Sequence, residues 1–428
     1  MTAIQPTKAV LNECTIGDPG ARFTYSDGNF HVHSLQVFED HCKPYLTCQL
    51  VIETYQNIYE HFLKPAVEVM LDFESPSSPL SGYKTKRYKE QFRIFSYDSR
   101  PAPKGQAGGQ MIHTLSLIGQ EYYNDKHNTV IQNDQGVVGT SVAQRIADKY
   151  LKAFGGSTKV MVPSNGPIGQ PNHPNQTMNV RPIKAINDIL DNCVWSGKFK
   201  SCAPVFFRRK QGHVIAPLQY MLENQPIKGH FFHRMGQGAS IHATFEEGYN
   251  LCIDVRPLSP SGEIMSGIKA GEVGSASQVA SSLDLTKGLI NKGTIAKAGK
   301  SAIAKISTKS PLGSNHILGT IMSSLRDSAI SKEGPGGYNN AQAALVTALT
   351  LSPKYWVSVP GQSGNQITAG DRILVQMPVP YGDGKFRMIT KTLYVARLIQ
   401  QVNFTDQTTR KQLDMNAKTE MYCVEFNG

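Results

Sequence analysis

The chain has 428 residues, with 44 Lys+Arg against 33 Asp+Glu and a formal net charge of +11. Hydrophobic residues make up 40% and charged residues 18%, which excludes a disordered or fibrous chain and leaves room for two or three domains with buried cores. No run approaches the roughly 18 to 20 apolar residues of a membrane span, and Met1-Thr2-Ala3-Ile4-Gln5-Pro6 has no charged region followed by an apolar one, so neither membrane insertion nor routing by this N-terminus is expected.

Residues 1–128 read as short strands. Val32, Leu35, Val37, Leu46, Leu50 and Ile52 mark a half-buried stretch, and Phe92 with Ile94 and then 112–117 before Gly119 alternate with a period of two. Short strands broken by Gly, Pro, Asp and Ser suggest an antiparallel barrel or sandwich. Residues 53–63 interrupt the pattern, since Tyr55, Ile58, Tyr59 and Phe62 recur at helical spacing before Pro65. A strand over 67–72 follows.

The period changes over 129–225. Ser141 and Gln144 have capping-box spacing, and Val142, Ile146, Tyr150 and Phe154 continue at helical spacing to Gly155-Gly156. The proline-rich stretch 162–182 reads as an exposed connection. Pro182 then suits a first helical position, with Ile183, Ile186, Ile189, Leu190, Cys193 and Val194 as the buried stripe. Residues 204–212 read as a strand and turn, and 213–224 as a short helix.

Strands return over 226–260, at Phe231-Phe232, 241–245 and 251–255, in the manner of a meander. The segment 261–354 is rich in Gly, Ser, Ala and Lys and reads as an insertion, with a helical stretch at 341–351. Within 261–310 it holds seven lysines against three acids. The chain ends in strands over 355–359, 372–377, 393–402 and 421–426.

Seven cysteines at wide and irregular spacing, with no C-x-x-C, argue against a disulfide framework and for a reducing compartment. Gly299-Lys300-Ser301 has the end of a phosphate-binding loop, but five residues separate it from Gly293 where four are needed, and no apolar strand precedes it. His31, His33, His41, Cys42 and Cys48 offer nitrogen and sulfur donors close in sequence, though with no recognised spacing for a third and fourth ligand; His230, His233 and His242 form a second such group. Nucleophile and metalloprotease motifs are absent, so nothing points to an enzyme and no cofactor is expected. Lys287, Lys292, Lys297, Lys300, Lys305 and Lys309 form a basic run able to meet phosphates or an acidic protein. It lacks interleaved aromatics, so base stacking is not indicated; a nucleic-acid-binding protein acting through 287–309 is the alternative reading.

The order of a β-domain, a helical middle piece and a second β-domain split by an insertion resembles the baseplate hub proteins of contractile-tailed bacteriophages and the spike-hub proteins of contraction-driven secretion systems. The segments that carry the likeness are 53–72, 112–120, the helix after Arg181-Pro182, Val205-Phe206-Phe207-Arg208-Arg209-Lys210 with 214–222, and Ala369-Gly370-Asp371-Arg372 with the strands that follow. The resemblance implies an α+β, mainly β fold. It has two tail-tube-like antiparallel β-barrel domains, 1–128 and 226–428, with an α/β middle domain over 129–225 and the insertion 261–354 free to pack on that domain. It also implies a catalytically silent homotrimer in the virion baseplate, assembled in the host cytoplasm, that adapts a sixfold tail tube to a threefold spike. Tail tube, central spike and tape-measure proteins are then partners, with baseplate wedge proteins as further candidates. DNA passes transiently through the lumen, and the basic run faces partner proteins.

Overall fold

The computed structural model describes residues 8–18, 22–28, 30–54, 63–76, 85–102, 110–133, 137–165, 176–191, 193–195, 204–233, 250–252, 254–258, 278–279, 282–284, 289–291, 296–297, 355–360, 367–380, 386–404 and 415–425. Its first part is built from strands β1 (Lys8–Ile16), β2 (Phe23–Thr24), β3 (Phe30–Asp40), β4 (Thr47–Thr54), β5 (Glu68–Pro76), β6 (Thr85–Pro101) and β7 (Met111–Gly119). Alternation places Val32, Leu35, Val37, Leu50, Ile52, Phe92, Ile94, Leu115 and Leu117 in one buried core, as their sequence pattern predicts. Glu53 and Thr54 belong to β4, so the helix expected over 53–63 does not begin there; residues 55–62 lie outside the described residues.

Helix α1 (Gln120–His127) follows, in a stretch where only strands are expected. Its exposed face is polar, which hides it from a hydrophobic-period search. Its two buried residues are Glu121 and Asp125, charges one turn apart that each take a partner from elsewhere in the fold. After β8 (Val130–Asn133), helix α2 (Gly139–Ile146) buries Val142, Ala143 and Ile146 and continues as a π-helical turn, Ala147–Leu151. The predicted capping box does not form. Val138 is the N-cap and Ser141 lies inside the helix, while the Thr140 amide donates to Ser164 Oγ at 3.2 Å, so a tertiary partner replaces the local one. Phe154 lies beyond the helix, which ends at a left-handed Lys152 with φ 51°.

The connection expected over 162–182 carries the short strands β9 (Lys159–Val160), β10 (Ser164–Asn165) and β11 (Gln176–Val180) at and near its ends. Helix α3 (Pro182–Asp191) then starts at Pro182 as expected, with the Ile183 amide donating to Asp125 Oδ1 at 2.8 Å. Ala185, Ile186 and Leu190 are buried against α2 and the fully buried Trp195 of β12 (Val194–Trp195). Strands β13 (Pro204–Arg209) and β14 (Gly212–Pro217) form a tight hairpin, and helix α4 (Leu218–Glu223) follows. Residues 213–217 are thus strand, and only 218–223 of the expected helix is helical. His213, Val214, Ile215 and Ala216 are buried without alternation, a pattern whose period does not separate it from a buried helix.

The last part comprises β15 (Ile227–Phe232), β16 (Asn250–Leu251), β17 (Asp254–Pro257), β18 (Gln278–Val279), β19 (Ser282–Asp284), β20 (Leu289–Asn291), β21 (Ala296–Lys297), β22 (Tyr355–Pro360), β23 (Arg372–Pro380), β24 (Phe386–Phe404) and β25 (Met415–Glu425). Residues 241–245 and 341–351 lie outside the described residues. The meander expected over 226–260 is not found, because β15 pairs in parallel with both β16 and β23, and β17 pairs with β22. β22 and β23 come from the far end of the chain, where a local reading has no access to them, and the local partner β16 runs parallel where a meander needs it antiparallel.

Most strands join one large, largely antiparallel sheet. Its pairings run β24-β3-β4-β7-β6-β5-β1-β25, and β25 pairs again with β24, so eight strands form a closed circuit. The same two long strands also carry a second run, β16-β15-β23-β24-β25-β22-β17. β24 changes neighbours along its length, from β23 over 386–394 to β3 over 397–403. A bulge at Ala396 marks the change, and its carbonyl accepts the His41 amide at 2.9 Å. Before the bulge Leu393 and Val395 enter the second core, and Val402 beyond it enters the first.

Candidate functional site

The β13–β14 hairpin is buried along both strands. Phe206 and Ile215 face the core of the middle helices, while Val205, Phe207, Val214 and Ala216 face a core that also contains Tyr394 and Val424. A hairpin with both faces covered reads as continuous apolar sequence, which explains the runs Val205-Phe206-Phe207 and Val214-Ile215-Ala216. Its tip is held by close backbone approach. A side chain on Gly156 would collide with the Gln211 carbonyl, and one on Gly155, at φ +93°, would lie 2.7 Å from the Lys210 carbonyl.

Three consecutive cations stand at this tip, and each goes to a different place. Arg208 is fully buried; its Nη2 donates to Glu90 Oε2 of β6 at 3.0 Å and its Nε to Glu121 Oε1 of α1 at 2.5 Å. It also donates to the Phe154 carbonyl, and its amide donates to the Lys43 carbonyl at 2.9 Å. Arg209 Nη1 lies 3.4 Å from Asp371 Oδ1, with its guanidinium 5.2 Å from the Phe207 ring centre. Lys210 Nζ donates to the Arg87 carbonyl at 3.0 Å and sits 4.1 Å from the Tyr88 ring centre. His213 Nε2 lies 2.8 Å from the Pro44 carbonyl, so this nitrogen carries the proton; burial pushes the ring's pKa down to about 4 and keeps it neutral.

Residues 367–371 complete the junction. Asp371 Oδ2 accepts from Thr368 N at 3.0 Å and Thr368 Oγ1 at 3.1 Å, and Ala369 N donates to Glu39 Oε2 at 3.0 Å. Arg372 Nη1 donates to the Glu223 and Gln225 carbonyls at 2.6 and 3.1 Å, meeting the C-terminal end of α4 where a cation is favoured. Burial raises the Glu39 carboxyl to about 7, against the pull of the Ala369 amide and Arg209. Burial also raises Glu90, with the neighbouring Glu121 carboxylate adding to the rise and the Arg208 guanidinium opposing it. A cleft of about 340 Å³, lined by Glu39, Asp40, Lys43, Arg397 and Tyr422 among others, opens beside this cluster.

The sequence reading takes Arg208-Arg209-Lys210 as part of a strand and turn and misses this role. The available signal is three cations closing a run otherwise written as buried strand. Of the predicted basic run, Lys287, Lys292, Lys300, Lys305 and Lys309 lie outside the described residues, and Lys297 stands in β21 opposite Gln278 of β18. The nitrogen and sulfur donors that lie close in sequence are not gathered around one point. His33 Nε2 pairs with Glu53 Oε2 at 2.9 Å, His41 is buried against the Phe207 and Tyr394 rings, Cys42 is exposed and Cys48 is buried in the first core. Among the described residues no group of three or more His, Cys, Asp or Glu is placed to hold a metal ion. His242 lies outside them. Among them, too, no helix is long and apolar enough to cross a membrane.

No family model matches the chain. No curated protein matches it either. Solved structures of similar chain trace are tail proteins and components of type VI secretion systems. A tail protein from Neisseria meningitidis is 10% identical with a TM-score of 0.46, covering 98% of this chain and 97% of its own. A type VI secretion component of E. coli, described as similar to T4 tail proteins, is 8% identical with a TM-score of 0.40, covering 93% and 74%. The 43 kDa prophage tail protein of Shewanella oneidensis is 9% identical with a TM-score of 0.42, covering 96% and 98%.

Proposed function

We propose that this protein is the baseplate hub of a contractile tail: a homotrimer whose chains each contribute two tube-like β-units, the closed circuit in which strands of 1–128 are completed by β24 and β25, and the second run built from 226–428, joined through the middle domain 129–225. Three chains then present six such units around a channel. The ring adapts the sixfold tail tube on one side to the threefold spike on the other, and the genome passes through its centre. Its activity is geometric, without a catalytic centre.

The observation that carries this reading is the β24–β25 pair. Its strands belong both to the closed circuit and to the second run, so the two sheet systems of one chain cannot swing independently. The buried Arg208–Glu90–Glu121 contact ties the middle hairpin to the first circuit, and Arg209–Asp371 ties it to the second run. An adaptor whose product is a fixed spacing of six units needs that rigidity. Negative-stain images of the purified chain test it: class averages should show a ring with a central hole and six density features of two alternating kinds. Averages of isolated two-lobed particles at every concentration would count against it.

A further inference from the structure

Strands β23 and β24 outrun their neighbours. β15 accompanies β23 only as far as Gln376, and β25 accompanies β24 only from Leu393 onward. Residues 377–380 and 386–390 therefore have only each other as strand neighbours among the described residues. Two-stranded ribbons are marginal in water, and free edges invite pairing.

The two edges of this ribbon are not equivalent. Gln376 accepts the His233 amide at 2.9 Å, so the even-numbered residues of β23 turn their backbone toward the β15 side. Pro378 and Pro380 share that direction, and with no N–H to offer they block that edge. On β24, Val395 bonds to Gly370 N and Asp371 O, so odd-numbered residues face β23. Phe386, Met388 and Thr390 then turn their amides and carbonyls outward, along an edge no proline blocks.

A second overhang stands in the first circuit. β5 accompanies β6 only as far as Arg93, a bulge follows Ile94, and residues 95–101 have β7 as their one strand neighbour among the described residues. All seven are exposed. Six large apolar side chains are exposed among the described residues, and four of them lie on these two overhangs: Phe95 at 53%, Tyr97 at 46%, Phe386 at 52% and Met388 at 43%. Asp98 follows Tyr97 on one strand and Arg387 separates Phe386 from Met388 on the other, which lets these two residues pair across a contact, although Arg100 leaves the first overhang with no net charge.

A head-to-tail contact needs two different complementary surfaces on one chain, and it makes a ring when its rotation closes and an open filament when it does not. We propose that these overhangs are the two sides of one such contact between copies of this chain, residues 386–390 of one copy adding a strand beside residues 95–101 of the next. The choice of a second copy as occupant rests on the trimeric ring proposed above; the contact itself is new to it.

Two measurements test the contact. In the first, chains carrying Tyr97→Cys and chains carrying Met388→Cys, both with the exposed Cys42→Ser, are mixed and treated with a short bis-maleimide. A two-chain product should form only in the mixture, and the Cys42→Ser parent should give none. In the second, Met388→Pro removes an outward amide while sparing the bonds to β23, and Phe386→Ser with Met388→Ser removes the apolar contact. Each should weaken self-association by about tenfold or more with melting unchanged. If the parent is three chains, both variants stay three chains and no cross-link forms, this contact is wrong and the ring stands. If the parent is one chain at every concentration and no mixed cross-link forms, the ring and this contact fall together.

Discussion

Arg208 shares one guanidinium between Glu90 and Glu121 in a place with almost no exposure, each of the three side chains being 0 or 1% exposed. Breaking a buried charge set by removing one partner costs more than the set contributes, because the remaining charges stay buried and unpaired. Arg208→Met should therefore lower stability by about 3 to 5 kcal/mol, measured by urea unfolding, and adding Glu90→Gln and Glu121→Gln should restore most of the loss. Glu39 gives a second test. Its folded carboxyl lies at about 7, above the ordinary 4.5, so the folded state holds this proton more tightly than the unfolded chain does. That contribution is full below about 4.5 and is lost as the pH rises through about 7. The melting temperature should fall between pH 5 and pH 8, and Glu39→Gln should flatten that slope. A slope unchanged by Glu39→Gln would assign the effect to Glu90, which burial also raises.

At the scale of elements, the long strands show what was legible and what was not. Period-two alternation marks β3, β4, β7 and β23 directly, because each has one face in a core. The phase change in β24 is also written in the chain: Leu393 and Val395 are buried before Ala396, and Leu398, Gln400 and Val402 after it. Deleting Ala396 would put 397–404 on the wrong face, so that variant should lose cooperative thermal unfolding and near-ultraviolet circular dichroism. The junction was less legible. Nothing local in Arg208, Arg209 or Lys210 indicates that their partners lie at positions 90, 121, 371 and 87, since those contacts exist only once three separate segments have folded together. Helix α1 is hidden in the sequence for a related reason: its buried residues are Glu121 and Asp125, and they stay buried because Arg208 and the Ile183 amide reach them.

At the scale of the whole molecule, the hub reading gives each level a task. The β24–β25 pair fixes two sheet systems together. The buried cations at the hairpin tip tie the middle core to both. The overhanging edges supply surface for a neighbour, which is how a closed ring removes edges that would otherwise drive aggregation. The net charge of +11 suits acidic neighbours or brief contact with nucleic acid, and salt separates these. The direct measurement is solution mass by light scattering over a range of protein and salt concentrations. The account predicts a particle of three chains that persists as salt rises. A particle of one chain throughout, with tight and salt-sensitive DNA binding that deletion of 287–309 abolishes, would contradict it and make the basic run the functional site.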